Sequence, residues 1–211
     1  MAIQLHFNKT DADLTGQSKW WGAPDMPDGM DIPCVPVEDE GDEYDDPLTF
    51  LCQIRCADIA ALDPEGLLPH EGMLYFFAAL DYYLGNFEAI LYPGMGEWES
   101  PYFKVLYSPT CDDLRPIGIV YDDGTPAFKP AEALTFEAAE TFADDFKLLG
   151  KPFYEEIREE YDDQMVSLLQ VNEDDDWQLH FYDCGMLHFL ITPDDLKHRR
   201  WNQCKCYVNS F

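Results

Sequence analysis

The chain has 211 residues and a formal net charge of −29 at pH 7, because 42 Asp and Glu residues outnumber 13 Lys and Arg residues. Hydrophobic residues make up 46% of the sequence and aromatic residues 15%, which excludes a disordered acidic tail and is enough for a folded core. Nucleic-acid phosphates and anionic lipid headgroups both require a basic surface. We therefore expect no direct binding to nucleic acid and none to a membrane.

The first ten residues and the cysteines predict the compartment. Residues 1–10 lack the basic start and apolar core of a signal peptide, and no apolar run reaches the length of about 18 residues that a transmembrane helix needs. An odd number of cysteines in a chain of this size is typical of reduced thiols. We therefore expect a cytoplasmic protein. The seven cysteines are Cys34, Cys52, Cys56, Cys111, Cys184, Cys204 and Cys206.

Two pairs of cysteines lie close in sequence, Cys52 with Cys56 and Cys204 with Cys206. A structural zinc site usually combines two short knuckles with about two residues between the ligands, whereas these pairs are separated by three residues and by one. We expect buried, inert thiols, with no metal and no other cofactor. Zinc held by the second pair together with His198 is the alternative that the spacing leaves open.

In chain order, the first predicted segment covers residues 1–46 and is extended, turn-rich and acidic. Trp20 and Trp21 precede alternating Pro and Gly residues, which impose extended or turning backbone. Residues 38–46 then hold seven acidic side chains in nine positions. Such a block favours a solvated, mobile loop.

The rest of the chain predicts strands connected by a few short helices. Residues 56–62 are predicted to form two helical turns, an apolar spacing of four predicts a helix over residues 152–163, and Thr192 before Pro193 predicts the start of a third. Short apolar or alternating runs indicate strands. These runs are residues 48–54, 73–78, 102–107, 117–121, 134–136, 165–171, 186–191 and 204–208.

One pattern occurs twice. A strand that contains Gln53 is followed by Gly72 and an apolar strand, and a strand that contains Gln170 is followed by Gly185 and another apolar strand. The repeat predicts an α+β fold of mostly antiparallel sheets, built from a duplicated strand–loop–strand unit with a few short helices. Chance similarity between apolar strands is the alternative explanation.

Taken in order, several of these segments resemble the YwqG-like family of uncharacterised bacterial proteins. Residues 18–27 are similar to that family's Lys-aromatic-Gly-Gly-x-Pro-x-x-Pro segment, although Trp21 stands where the family usually has its first Gly. Asn172 also departs from the pattern, because an Asp often stands there. The further matching segments are residues 47–54, 72–77, 148–152, 168–171, 185–189 and 194–196.

The resemblance implies one YwqG-like domain over residues 1–211, with an α+β, mostly antiparallel architecture in a cytoplasmic bacterial protein. Its repeated halves would cover about residues 47–110 and 160–211, after the extended segment 1–46. The family brings no catalytic residues. Its members are similar to proteins encoded near polymorphic toxin systems, which implies an immunity or interaction role.

The sequence contains no catalytic motif. A nucleophile needs a base within hydrogen-bond reach, and no Gly-x-Ser-x-Gly elbow, phosphate-binding loop or His-Glu-x-x-His helix is present. His70 in a turn is a candidate base without a partner, and His188 is predicted to be a buried core histidine. Residues 173–176 are acidic but lack the register of a calcium loop. We predict no catalytic residues, and the sequence favours a non-enzymatic role.

Gln53 and Gln170 are the polar residues that call most for an explanation, because each lies in an otherwise apolar strand. Burying an amide without partners costs about 1–3 kcal/mol. We expect each to bridge backbone groups, with a role in lining a shared cleft as the alternative. A pseudo-twofold repeat would let the two amides face each other, with Lys19 and Trp20 close by. These four residues are our candidate ligand-binding set.

Composition and motifs together favour an acidic protein-binding module, of an immunity or adaptor type, for a basic protein partner. A charge of −29 would steer such an encounter and make it sensitive to salt. The alternative is a small-ligand-binding protein or an enzyme with a cleft between the two repeats.

Overall fold

A computed structural model describes residues 1–39, 41–120 and 123–210 of the chain. Within these ranges, eleven strands form one antiparallel sheet, in the order β8-β15-β14-β13-β12-β1-β11-β2-β6-β7-β9. Two further sheets have two strands each, β10 with β3 and β4 with β5. The strands are β1 (Ala2–Lys9), β2 (Lys19–Trp20), β3 (Asp25–Met26), β4 (Cys34–Asp39), β5 (Asp42–Pro47), β6 (Thr49–Arg55), β7 (Met73–Ala78), β8 (Gly96–Trp98), β9 (Phe103–Ser108), β10 (Arg115–Pro116), β11 (Glu132–Ala139), β12 (Lys147–Leu149), β13 (Val166–Asn172), β14 (Met186–Ile191) and β15 (Lys205–Asn209).

The large sheet is nearly closed into a barrel. Its two edge strands, β8 and β9, follow each other in sequence with only residues 99–102 between them. A turn joins them, in which the Tyr102 backbone N–H donates to the Glu99 carbonyl at 3.1 Å. The short connection holds the two edges near each other, and closure of this kind protects strand edges from pairing with other chains.

Alternate side chains of the central strands fill the inside of this barrel. Cys52 and Ile54 from β6 share one core cluster with Phe76 from β7 and with Leu169 and Phe189 from the second half of the chain. The intervening side chains point outwards because successive residues of a strand face opposite sides. Both faces of β7 and β14 are therefore buried.

Separate segments cover the outer faces of the two halves. On β7, Met73, Tyr75 and Phe77 belong to a second cluster with Met26, Val35 and Leu48 from the chain before β6. On β14, Met186 and Leu190 pack against the helix α2 (Glu155–Glu160), whose Ile157 is fully buried. The remaining short helices are α1 (Cys56–Ile59), α3 (Pro193–Lys197) and three single turns of 3-10 helix, Ala60–Leu62, Tyr82–Leu84 and Trp201–Gln203.

The pairings of the two halves follow the same register. Gln53 lies opposite Tyr75, and Gln170 lies opposite His188, and an irregularity in the pairing precedes both glutamines, between residues 50 and 52 and between residues 167 and 169. On the other side, Lys19 pairs with Gln53 as Lys147 pairs with Gln170.

The two lysine segments also share an unusual backbone. Trp21 and Leu149 have positive φ values of 56° and 61°, and each is followed by a glycine with positive φ. A left-handed conformation costs an ordinary residue about 1–2 kcal/mol. The structure holds this conformation at corresponding positions of both halves.

Most predicted elements are confirmed with bounds that differ by at most three residues, and the mostly antiparallel architecture with few short helices is confirmed as well. The prediction for residues 1–46 as extended and turn-rich was incomplete, because β1 lies at the centre of the large sheet. The acidic block is a hairpin rather than a loop, although Glu40 lies outside the described residues. The predicted strand at residues 117–121 was wrong over 117–119: Val120 makes one isolated bridge to Pro126, and Tyr121 is not described. Across the described chain, no helix has both the length and the apolar content to cross a bilayer.

Candidate functional site

Lys19 and Gln53 meet a buried carboxylate, that of Asp25. Lys19 Nζ lies 2.8 Å from Asp25 Oδ2, and Gln53 Nε2 donates to the same oxygen at 2.7 Å. Gln53 Oε1 accepts from the Asp25 backbone N–H at 2.8 Å, and Gln53 Nε2 also donates to the Gln17 carbonyl. All three side chains are almost fully buried. The cluster therefore anchors the segment after β2 to β6, and it offers solvent no open functional group.

Gln170 makes the corresponding contacts in the second half. Its Oε1 accepts from the Phe153 backbone N–H at 3.3 Å, and its Nε2 donates to the carbonyls of Ala143 and Asp145 at 3.0 and 2.9 Å. Both glutamines thus bridge backbone groups, as the sequence predicted.

The two glutamines do not face each other. Gln53 on β6 and Gln170 on β13 are separated in the sheet by the four strands β2, β11, β1 and β12. Each side chain points to the outer face of its own half, because its strand neighbours Cys52 and Leu169 point into the barrel. A shared cleft lined by both amides is therefore not what the structure forms.

Trp20 lies inside the barrel and not at a surface. It is fully buried among other aromatic rings, and it stacks on Trp177 with ring centroids 5.6 Å apart. Its further ring contacts are Phe7, Trp21 and Phe146. Of the predicted set, the side chains of Lys19 and Gln53 come together, whereas the neighbouring Trp20 side chain points into the barrel and Gln170 lies in the other half.

One serine and one histidine approach each other within the second half. Ser167 Oγ lies 3.3 Å from His188 Nδ1. Burial, followed by the charge of Lys147, lowers the pKa of His188 to about 3, so the ring is neutral at physiological pH. Both residues are completely buried. A substrate has no access to this pair, and His188 is a core histidine as the sequence predicted.

The cysteines are separate free thiols. Cys52, Cys56, Cys204 and Cys206 are buried, and burial raises the pKa of each thiol. His198 is exposed and lies beside Asp194. Over residues 1–39, 41–120 and 123–210, no three His, Cys, Asp or Glu side chains are grouped closely enough to hold a metal ion.

The acidic hairpin formed by β4 and β5 has unfavourable charge pairing. Glu38 lies directly opposite Glu43, and Asp39 lies directly opposite Asp42. Most of the hairpin is exposed, and none of its described carboxylates forms an ion pair with a described Lys, Arg or His residue. Like charges directly across a strand pair are destabilising. The hairpin is therefore a concentrated region of negative charge without cationic partners among the described residues. The sequence analysis had assigned this region to a loop.

A cleft of about 550 Å³ opens at the base of this hairpin. Asp46 and Asp81 lie in its wall beside Thr49 and Lys129. Apolar side chains form the rest of the wall, among them Trp21, Ile32, Leu48, Phe50, Ile117, Ile119 and Phe128. Sequence reasoning missed this site because its walls come from six separate segments of the chain.

A family model described as Domain of unknown function (DUF1963) matches residues 18–151 and 143–209. The chain belongs to the DUF1963 family. A search of curated proteins finds no match at the threshold applied. The ranges that match DUF1963 contain Lys19, Trp20, Gln53 and Gln170, and they also contain the hairpin and every residue named above for the cleft. In this DUF1963 chain the match begins just before β2, so the central strand β1 lies outside it.

Proposed function

We propose that this protein is an acidic binding module for a basic protein partner, of an immunity or adaptor type. The observation that carries the proposal is the hairpin of β4 and β5, which sets Glu38 against Glu43 and Asp39 against Asp42 without an ion pair to any described residue. A basic surface laid on the hairpin would neutralise both pairs. Part of the repulsion that the free protein bears would then be released on binding.

The net charge supports the same function because it would increase the rate of association with a cationic partner. At −29 the protein attracts cationic partners over roughly one Debye length, which is about 8 Å at physiological ionic strength. The resulting association would be fast at low salt and would weaken as salt is added.

The buried clusters favour binding over catalysis. Lys19 and Gln53 are buried and contact Asp25 within the fold, and Ser167 with His188 is closed to solvent. Their positions argue for a structural role. Hence the enzymatic alternative with a cleft between the two halves receives no support from these residues.

The experiment is affinity capture from an extract of the native cells with three baits, followed by elution on a salt ramp and mass spectrometry. The first bait is the wild-type chain. The second carries Glu38→Gln, Asp39→Asn, Asp42→Asn and Glu43→Gln in the hairpin. The third removes four exposed charges elsewhere, through Glu155→Gln, Glu156→Gln, Glu159→Gln and Asp162→Asn, so that both variants have the same net charge.

We expect a basic protein that the wild-type and third baits retain to a defined salt concentration and that the hairpin variant loses. Equal capture by all three baits would contradict a role of the hairpin. Loss of capture with both variants would attribute the effect to net charge alone. That result would overturn the proposal of a specific partner.

We further propose that the two halves derive from one duplicated unit and that the chain is YwqG-like. Support comes from the common register around Gln53 and Gln170 and from the left-handed residue that precedes a glycine in each half. The shared pairings include β2 and β12, so the units would extend beyond residues 47–110 and 160–211. A cytoplasmic, bacterial setting is part of the same proposal, and the seven free thiols support a reducing compartment.

A further inference from the structure

The cleft at the base of the hairpin has the size of a small-molecule site. Its volume of about 550 Å³ lies within the range of roughly 300–1,000 Å³ that is usual for ligand pockets. A second cavity of about 210 Å³ adjoins it and shares Asp46, Pro47, Thr49, Asp81 and Asn86. The two carboxylates therefore stand at the boundary between both cavities.

These carboxylates lack a cationic partner. Asp81 Oδ1 accepts a hydrogen bond from Thr49 Oγ1 at 2.7 Å, and neither Asp46 nor Asp81 forms an ion pair with a described residue within 4.0 Å. Lys129 lines the same cleft without reaching either of them. Burial, and then the charge of Asp81, raises the pKa of Asp46. The arrangement places the partly buried Asp46 near the exposed Asp81, and a cation would stabilise both carboxylates.

The remaining walls are apolar and contain one unsatisfied donor. Leu48 and Phe50 are buried at one side, and Ile119 and Phe128 are partly exposed at another. Trp21 is 2% exposed, and its indole Nε1 has no hydrogen-bond partner among the described residues. This donor would bind an acceptor atom and not a cation, so the charge preference of the cleft comes from Asp46 and Asp81.

We propose that this cleft binds an organic cation, an ammonium or guanidinium group carried on an apolar stem. The charged group would lie between Asp46 and Asp81, next to the Thr49 hydroxyl, and the stem would pack on Ile119 and Phe128. The site is distinct from the tip of the acidic hairpin, whose four carboxylates carry the proposed function. The two proposals can therefore fail separately.

Two sources supply this chemistry, a free amine and the basic side chain of a protein. Titration calorimetry with phenethylamine tests the first source, and N-acetyl-arginine N-methylamide tests the second. The neutral isostere 2-phenylethanol serves as the reference for the apolar stem alone. Binding of phenethylamine without the arginine derivative identifies a free amine as the ligand, and binding of both identifies a site that also accepts protein side chains.

The carboxylates are tested with matched variants. Asp46→Asn and Asp81→Asn should each weaken binding of phenethylamine about tenfold, which is the loss expected for about 1.4 kcal/mol of interaction. Asp45→Asn is the control, because it removes the same charge one residue away on the opposite face of β5. Lys129→Met should strengthen binding, since it removes a like charge from the cleft.

The expected result is that both Asn variants lose affinity while Asp45→Asn does not, with unchanged unfolding midpoints for all variants. Binding of 2-phenylethanol as strong as that of phenethylamine would overturn the proposal. So would an equal loss of affinity in Asp45→Asn, and so would no heat of binding with either cation. The hairpin variant of the capture experiment keeps Asp46 and Asp81, so it should bind phenethylamine like the wild-type chain.

Discussion

Lys19 and Lys147 occupy corresponding positions opposite Gln53 and Gln170, yet only Lys19 lies against a carboxylate. Lys147 Nζ donates instead to the carbonyls of Thr141 and Ala143, at 3.1 and 2.7 Å. Burial lowers the pKa of Lys147 to about 8, and the nearby Asp144 offsets only part of that effect. One half of the fold therefore holds a buried ion pair where the other holds a buried, weakly compensated ammonium.

The first prediction concerns Lys147→Met. Between pH 8 and the unfolded pKa of about 10.4, the unfolded chain binds more protons than the folded chain at this site, so the Lys147 contribution to stability rises with pH. The burial penalty is complete below pH 8 and disappears above about pH 10.4. We expect the free energy of unfolding of Lys147→Met, relative to wild type, to fall by about 3 kcal/mol across this window.

Urea denaturation at pH 7, 9 and 10 measures this difference. Tyrosines and cysteines that titrate in the same range affect both proteins alike, so they cancel when the two curves are compared. Lys104→Met, at an exposed position, controls for the loss of one positive charge. A relative stability of Lys147→Met that is constant from pH 7 to pH 10 would contradict the prediction.

A second prediction compares the two glutamines. Gln53→Leu removes two hydrogen bonds to Asp25, one of them to its buried carboxylate, and should lower the free energy of unfolding by about 3 kcal/mol. Gln170→Leu leaves only neutral backbone groups without a partner, and should cost about 2 kcal/mol. Chemical denaturation measures both. The exposed Gln164→Leu is the control. A larger loss of unfolding free energy for Gln170→Leu than for Gln53→Leu would contradict the prediction.

A third prediction rests on the close backbone approach at Gly72. A Cβ atom there would lie 2.1 Å from the Ser108 carbonyl oxygen on the neighbouring strand β9. Gly72 also has a positive φ of 81°. We expect Gly72→Ala to lose about 3 kcal/mol or more of stability, because backbone must move.

Gly66→Ala separates the two causes of that loss. Gly66 also has a positive φ, but a Cβ atom added to it meets nothing within 4 Å. It should cost only about 1 kcal/mol, which is the strain of the left-handed conformation alone. Thermal unfolding of both variants gives the comparison, and similar losses would show that the contact with Ser108 is unimportant.

A fourth prediction concerns the stability of the acidic hairpin. Glu43→Lys replaces a like-charge pair with an opposite-charge pair across the strands, opposite Glu38. It should raise the free energy of unfolding by about 0.5–1 kcal/mol at low salt and by less at high salt. Glu65→Lys, in an exposed loop, makes the same change in net charge elsewhere. Equal stabilisation by both variants would attribute the effect to net charge rather than to the hairpin.

A fifth prediction follows from the burial of the thiols. N-ethylmaleimide added to the native protein should modify the exposed Cys184 first and Cys34 more slowly, because burial and nearby Asp45 raise the pKa of Cys34. Cys52, Cys56, Cys204 and Cys206 should react only after unfolding. Peptide mass spectrometry at increasing times identifies the modified positions. Fast labelling of Cys204 or Cys206 would contradict the buried arrangement and reopen a metal-binding role for them.

The strands that sequence alone predicted best are those with neighbours on both faces. Residues 73–78 and 186–191 are continuous apolar runs because one face of each strand fills the barrel and the other lies under a covering segment. Thr192 was likewise identifiable as a helix cap, and its hydroxyl accepts from the Asp195 backbone N–H. Local chemistry was sufficient at these positions.

Other features depend on partners that are distant in sequence. Strand β1 was not predicted as a strand, and its position between β11 and β12 comes from pairing across more than 120 residues. The hairpin was missed because Asp and Glu residues disfavour strands. Its buried contact is made by Val35 at its base, and the acidic composition of the segment gives no sign of that contact. Gln53 and Gln170 were recognisable as buried bridges, whereas their separation became visible only with the strand order.

Because β1 lies at the centre of the sheet, it cannot pair with its neighbours until later parts of the chain have been synthesised. Ala2 pairs with Ala139 on one side and with Leu149 on the other. At a translation rate of about 5–20 residues per second, roughly 7–30 s pass before either partner has been made. Throughout that interval Ile3 and Leu5 are unburied on a nascent chain, open to chaperones and to aggregation. Strand β1 thus waits for β11 and β12, and of the strands described only β13, β14 and β15 are made after both of its partners.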